Sequence, residues 1–179
     1  MQITTNPVDM SDKIAQLFKY TFTASEGADE GAAVHDLAHE LLTTTPEKDI
    51  RVFIARDDGA LHGCAIFTRL LFPDDTRTAF LLSPMAVATD QQRKGVGRAL
   101  LQAALNSLRA EGVDVAVTYG DPAFYGQVGF QQVTTETVPA PQPLSMPEGW
   151  IAQSLTDAPL TPLPGPSFCV SALNRPDIW

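Results

Sequence analysis

Cysteine is almost missing from this chain: two residues in 179, Cys64 and Cys169. A chain of this length buries about 70% of the surface its unfolded form exposes, so it needs no disulfide framework or structural metal to hold a core. Both cysteines lie in apolar, strand-like stretches, where a small buried thiol is the ordinary outcome; a bridge between them is left open. Basic residues are scarce as well, 12 Lys and Arg against 21 Asp and Glu, a net charge of −9. Such a surface repels a phosphate backbone, so nucleic acid is not an expected partner. Long apolar runs are missing too. Nothing approaches the roughly 18 apolar residues that span a bilayer, and the polar start from Met1 to Met10 has no apolar core of a secretory signal. The expectation is a soluble, cytoplasmic protein with no membrane partner. Without an internal repeat or a compositional break, 1–179 reads as a single domain.

What is there begins with periodicity. Ile14, Leu17 and Phe18 recur at helical spacing over 11–20, and a second helix is expected over about 32–42, so two helices open the fold. Strands over about 50–55 and 61–72 meet at Asp57-Asp58-Gly59, a hairpin signal. A third strand is expected over about 78–88, then a helix over 98–110 whose Leu101, Leu105 and Leu108 share a face and which Gly112 ends. A β-branched strand follows at 113–119, and Asp121-Pro122 reads as the cap and first residue of a short helix. Strand, helix, strand over 78–119 implies a right-handed crossover between parallel strands. The fold class is therefore α/β around a mixed sheet. Nine of the 14 prolines stand at Pro139 or later, which makes the part from about 138 loop-like, with edge strands at 150–155 and 167–173.

One segment carries ligand chemistry. Gln92-Arg93-Lys94-Gly95-Val96-Gly97-Arg98 joins the third strand to the long helix. A helix N-terminus offers unpaired N–H groups and the positive end of the dipole, and glycines let a phosphate approach the backbone. Three cations in six residues of an acidic chain reinforce this. A Walker loop needs Gly-Lys followed by Ser or Thr, whereas Arg98 and Ala99 follow Gly97. A dinucleotide fingerprint needs a third small residue where Leu100 stands, although Asp121 could serve as its ribose-binding acid. A glycine-rich turn that only starts a helix is the bland reading.

The spacing of Gln92, Gly95 and Gly97 after the strand Leu82-Ser83-Pro84-Met85-Ala86-Val87, together with Gly120-Asp121-Pro122-Ala123-Phe124-Tyr125-Gly126-Gln127-Val128-Gly129-Phe130, resembles the GNAT superfamily of N-acetyltransferases, most of all its YhbS-like subgroup. The resemblance implies a mostly antiparallel central sheet with one splayed parallel pair, flanked by helices. It implies acetyl-CoA as co-substrate and no metal. The pyrophosphate would lie on the N–H groups of Arg93, Lys94, Gly95, Val96, Gly97 and Arg98, with Gln92 positioning the turn. Met85, Ala86 and Val87 would pair with the pantetheine amides as strands pair. Pro84 fits a strand whose ladder is interrupted there.

Acetyl transfer requires an uncharged amine, a donor for the oxyanion and a proton for the thiolate. By resemblance a backbone N–H near Met85 is the oxyanion donor and Tyr125 the catalytic proton donor; a phenol with a pKa near 10 is protonated at neutral pH. Phe124 reads as packing. No base is named: residues 78–87 hold no ionisable side chain, and Glu26, Asp36 and Glu40 read as exposed polar positions. His35-Asp36-Leu37-Ala38-His39 has the i, i+4 spacing of a zinc protease helix, but Asp stands in place of Glu and a third ligand is missing, so a solvated face is the better reading. The expected function is acetylation of a primary amine on a small molecule, peptide or protein by direct attack in a ternary complex. The alternative is an acyl-CoA binding or sensing module without turnover. A homodimer is left open.

Overall fold

The computed structural model describes residues 1–179. Its strands are β1 (Gln2–Thr5), β2 (Ile50–Asp57), β3 (Ala60–Leu70), β4 (Ala79–Val87), β5 (Val115–Tyr119), β6 (Gln131–Gln132) and β7 (Trp150–Ser154). Its helices are α1 (Ser11–Glu26), α2 (Ala28–Thr44), α3 (Val96–Ala110) and α4 (Pro122–Tyr125). The strands form one mixed sheet in the order β1-β2-β3-β4-β5-β7-β6, with β4 and β5 parallel, which is the expected architecture. The chain groups into two compact units, Met1–Phe67 with Pro84–Ala104, and Thr68–Ser83 with Leu105–Trp179.

In the first unit α1 buries Ile14, Ala15, Leu17 and Phe18, and α2 buries Val34, Leu37, Ala38 and Leu41, the stripes that helical periodicity demands. Two helices do not open the fold, however. β1 precedes them, paired antiparallel with β2 from Gln2↔Arg56 to Thr5↔Phe53. Its four residues, Gln-Ile-Thr-Thr, sit on the sheet edge and carry no apolar alternation, so nothing in their pattern announces a strand. Asn6 closes β1: its side-chain oxygen accepts the Val52 N–H at 2.9 Å. The β2–β3 turn has φ of 44° at Asp58 and 82° at Gly59, the two positive values a type I′ hairpin requires. Phe53 and Phe67 meet edge to face at 5.8 Å in the core of this hairpin, and Cys64, on the same strand as Phe67, is buried.

In the second unit β4 and β5 pair from Ala79↔Val115 to Leu82↔Thr118. β5 then pairs antiparallel with β7, Val115↔Ser154 to Tyr119↔Trp150, and the two-residue β6 adds to β7. Asp114 sets the entry to the parallel pair by accepting the Thr78 N–H at 2.7 Å. The end of α3 is a Schellman motif: Val113 N–H donates to Leu108 and Gly112 N–H to Arg109.

The tail departs from expectation at 167–173. Only one bridge forms there, Leu71↔Phe168, and Ser171–Leu173 is a 3₁₀ turn. Pro164 and Pro166 just before it, and Pro73 just after Leu71, leave no run of N–H groups to extend a ladder. The tail is held by polar anchors instead. Arg77 forks onto Asp75 at 3.0 and 2.6 Å and donates to the Thr161 and Pro162 carbonyls at 3.0 and 2.9 Å. Trp150 Nε1 donates to Val138 and Trp179 Nε1 to Leu173, each at 2.8 Å. The Tyr119, Trp150 and Trp179 rings gather with centroids 5.9 to 6.2 Å apart. Both cysteines are free, so the bridge left open by the sequence does not form.

Candidate active site

The first unit carries the glycine-rich turn. β4 ends at Val87, a 3₁₀ turn covers Thr89–Gln91, and Gln92 returns to extended backbone at φ −63°, ψ 154°. Gln92 Nε2 donates to the Val87 carbonyl at 3.1 Å, which ties the turn to the end of the strand. Arg93 is then left-handed at φ 61° and Gly95 at φ 83°. A left-handed arginine costs about 1–2 kcal/mol, so the loop holds a conformation its sequence would not choose freely. Gly95 also lies in open space, with nothing within 4 Å of where a Cβ would stand.

The Gly95 carbonyl accepts the Ala99 N–H at 3.0 Å, the first helical bond, so Gly95 is the N-cap of α3. The N–H groups of Val96, Gly97 and Arg98 are therefore the first-turn donors without an intrahelical partner, at the positive end of a 15-residue helix. Val96 and Gly97 are buried, whereas Gln92, Arg93, Lys94, Gly95 and Arg98 are exposed. The structure thus brings together the seven residues the sequence singled out, as an anion cradle with a positive rim.

Met85, Ala86 and Val87 lie on the stretch of β4 beyond its parallel pairing. The β5 ladder stops at Leu82↔Thr118, while β4 runs on to Val87. Pro84, two residues past the last pair, has no N–H to continue it. Met85 and Val87 are half-buried and Ala86 is buried.

Tyr125 belongs to the second unit. Asp121 caps α4, accepting the Ala123 N–H at 2.9 Å with Pro122 as the first helical residue, as the sequence predicted. The Tyr125 ring meets Phe124 and Phe130 edge to face at 5.0 and 5.8 Å. Gly120 makes room for it: a Cβ there would stand 2.8 Å from Tyr125 Cε2. The phenol is pushed up to about 12, chiefly by burial away from water; a hydrogen bond with the Thr118 hydroxyl works the other way, and the Asp121 charge adds to the rise. Tyr125 is consequently a protonated hydroxyl throughout the physiological range. Neither Thr118 nor Gly120 was singled out by the sequence, since one Thr in a β-branched strand and one Gly before Asp-Pro carry no pattern.

The His35 and His39 rings stack at 6.4 Å on the face of α2, with His35 Nδ1 on Asp36 at 2.9 Å and His39 Nε2 3.5 Å from Asp12. No group of three or more His, Cys, Asp and Glu residues is arranged to hold a metal.

Residues 48–132 match the family described as Acetyltransferase (GNAT) domain. An uncharacterised N-acetyltransferase of Escherichia coli K12, YjhQ, is 32% identical over 133 residues, 70% of this chain and 72% of YjhQ. The chain belongs to the GNAT acetyltransferase family. YhbS of the same strain, also an uncharacterised N-acetyltransferase, is 28% identical over 102 residues, 57% of this GNAT protein and 58% of YhbS. Among solved structures, E. coli YhbS in complex with CoA superposes with a TM-score of 0.75 at 24% identity, covering 97% of this GNAT chain and 92% of that one. A GNAT acetyltransferase of Brucella melitensis in complex with acetyl-CoA gives 0.70 at 21% identity, covering 96% and 97%. These likenesses establish the GNAT fold.

Proposed function

We propose that this GNAT protein transfers the acetyl group of acetyl-CoA to a primary amine of a small molecule, peptide or protein, in the cytoplasm, and that residues 1–179 act as one domain. The observation that carries the reading is the N-terminus of α3, with three unpartnered N–H groups and three cations, standing directly after a strand that outruns its parallel neighbour. That no helix is long and apolar enough to cross a membrane is compatible with the location. CoA bound to YhbS and acetyl-CoA bound to the Brucella protein supply the ligand class.

In this reading the diphosphate lies on the N–H groups of Val96, Gly97 and Arg98, neutralised by Arg93, Lys94 and Arg98, while Gln92 holds the turn and Gly95 keeps side chains out of the approach. The backbone of Met85, Ala86 and Val87 pairs with the pantetheine amides, and an N–H near Met85 receives the developing oxyanion. The neutral amine attacks the thioester carbonyl, forming a C–N bond and a tetrahedral intermediate. The C–S bond then breaks, the sulfur takes the Tyr125 proton, and the surplus proton of the new amide nitrogen leaves to water. Tyr125 is reprotonated from solvent before the next cycle. The acceptor is proposed to touch residues 23–45 in the first unit or the stretch after Val138 in the second, where Pro139, Pro141 and Pro143 help line an open pocket of about 680 Å³.

Calorimetry with acetyl-CoA, followed by thiol release with a panel of amines, tests the proposal. Absence of acetyl-CoA binding overturns it. The lack of an ionisable side chain over 78–87 favours a second reading, an acyl-CoA sensor, and binding without thiol release from any amine decides for the sensor.

A further inference from the structure

The first unit holds a pocket of about 670 Å³ that none of the residues assigned to the coenzyme lines. Its walls are α1, the β2–β3 turn at Gly59 and the residues directly after β4, Ala88 to Asp90. Tyr20 borders it with a side chain that is 69% exposed. Thr21, also on its wall, is 8% exposed, and its hydroxyl has no hydrogen-bond partner, although a helical threonine commonly bonds the carbonyl one turn back. A covered polar atom without a partner costs free energy that a ligand donor recovers. Asp12 and Asp90 bring two carboxylates to the pocket against one cation, Lys13. Each carboxylate is steadied by a neighbour, Asp12 lying 3.5 Å from His39 Nε2 and Asp90 accepting from Gln91 Nε2 at 2.9 Å, and each keeps lone pairs for a ligand. An aromatic face, two carboxylates and a hydroxyl that lacks a donor together select an organic ammonium ion.

Carboxylates favour the charged form of an amine, whereas the nitrogen that attacks a thioester must be neutral. The pocket is therefore unsuited to the reacting nitrogen and suited to another one. Ala88 continues β4, its N–H donating to the His62 carbonyl at 2.8 Å, so three strand residues separate it from Met85, about 10 Å at the usual rise. We infer that the acceptor is an aliphatic amine with a second ammonium group, which this pocket holds between Asp12, Asp90 and the Tyr20 ring while the neutral nitrogen reaches the thioester beside Met85. The inference rests on the acetyl-transfer reading and brings the acceptor in by way of the first unit. A monoamine of equal length would set an apolar end against the two carboxylates. A diamine sets a charge there.

The test measures kcat/KM by thiol release for octamethylenediamine and octylamine, and the binding of both amines by calorimetry. The diamine is expected to be preferred by about tenfold, the sum of two screened ion pairs and one cation–π contact. In the double variant Asp12→Asn, Asp90→Asn, that preference is expected to fall about fivefold, with diamine binding weakened to match. Tyr20→Phe, which keeps the ring, is expected to keep the preference, and Tyr20→Leu to lower it about twofold to fivefold. Thermal scans show that each variant is folded. Equal kcat/KM for the two amines, or a preference that the double variant retains in full, overturns the inference and leaves acetyl transfer standing. Diamine binding that the double variant weakens, with no thiol released from any amine, fails differently: it removes the acetyl-transfer reading and the acceptor role with it, and keeps the pocket as an ammonium site.

Discussion

Gln92 reaches back five residues to donate its side-chain N–H to the carbonyl of Val87, so the last residue of β4 and the first of the glycine-rich turn are one mechanical unit. Because Gln92 is exposed, its loss should scarcely disturb the fold. Gln92→Ala is expected to weaken acetyl-CoA binding by about 2–10-fold, the worth of one neutral hydrogen bond, with an unchanged melting temperature. Calorimetry and a thermal scan check both halves.

Gly97 is buried at the second position of α3, where its N–H is one of the free donors. Gly97→Val puts a branched side chain at the point where the diphosphate is proposed to lie, and is expected to abolish measurable acetyl-CoA binding. Far-UV circular dichroism separates that effect from misfolding. Normal affinity in a folded Gly97→Val protein contradicts the cradle.

Tyr125→Phe is expected to lower turnover on the order of 10²-fold with the affinity for acetyl-CoA unchanged, since the hydroxyl acts only on the departing sulfur. The sign of the pH effect follows from the raised phenol. Its protonated form is the donor, and a midpoint pushed up to about 12 keeps that form intact well above neutrality. A pH profile of kcat is thus expected to show no basic-side loss from this group below about pH 10, the ordinary tyrosine value. A basic limb near neutrality that disappears in Tyr125→Phe goes against the assignment.

Arg77 holds the Asp75 carboxyl below the usual carboxylate range through its forked hydrogen bonds. A depressed carboxylate contributes stability that is present above its unfolded value, about 3.9, and lost as pH falls through that value toward the folded one. Asp75→Asn is expected to cost on the order of 1 kcal/mol or less at pH 7, since solvent screens the pair, or up to about 2–4 °C in melting temperature. The gap to the parent protein should close below about pH 4. A constant gap across that range removes the ion pair as its cause.

Much of this was legible in the residues, for reasons that differ by element. The stripes of α1 to α3, the Asp58-Gly59 turn and the Asp121 cap are local, so spacing alone reveals them. The cradle was legible because a helix start, two glycines and three cations fall in one short segment. β1 was not legible, because a four-residue edge strand with a single apolar side chain, Ile3, owes its existence to β2, whose register partners are 48 to 54 residues away in sequence. The expected strand over 167–173 failed for the converse reason: apolar residues with strand propensity are there, but the prolines around them leave a ladder of one rung. Gly120 matters through a ring that the following turn brings back onto it, and no pattern of residue types announces that fact.

Both tryptophans of the chain, Trp150 and Trp179, stand in a single aromatic knot of the second unit, while the first unit contains the buried thiol of Cys64. Nature has thereby separated two spectroscopic reporters. Indole emission watches one half of the molecule melt, and in a Cys169→Ser protein labelling of Cys64, whose thiol burial pushes up and shelters, watches the other. Denaturant curves that coincide by the two signals would mark 1–179 as one cooperative body. Curves that part would mean that the strand carrying Leu82 on one side of Ser83 and Met85 on the other joins two bodies with separate stabilities.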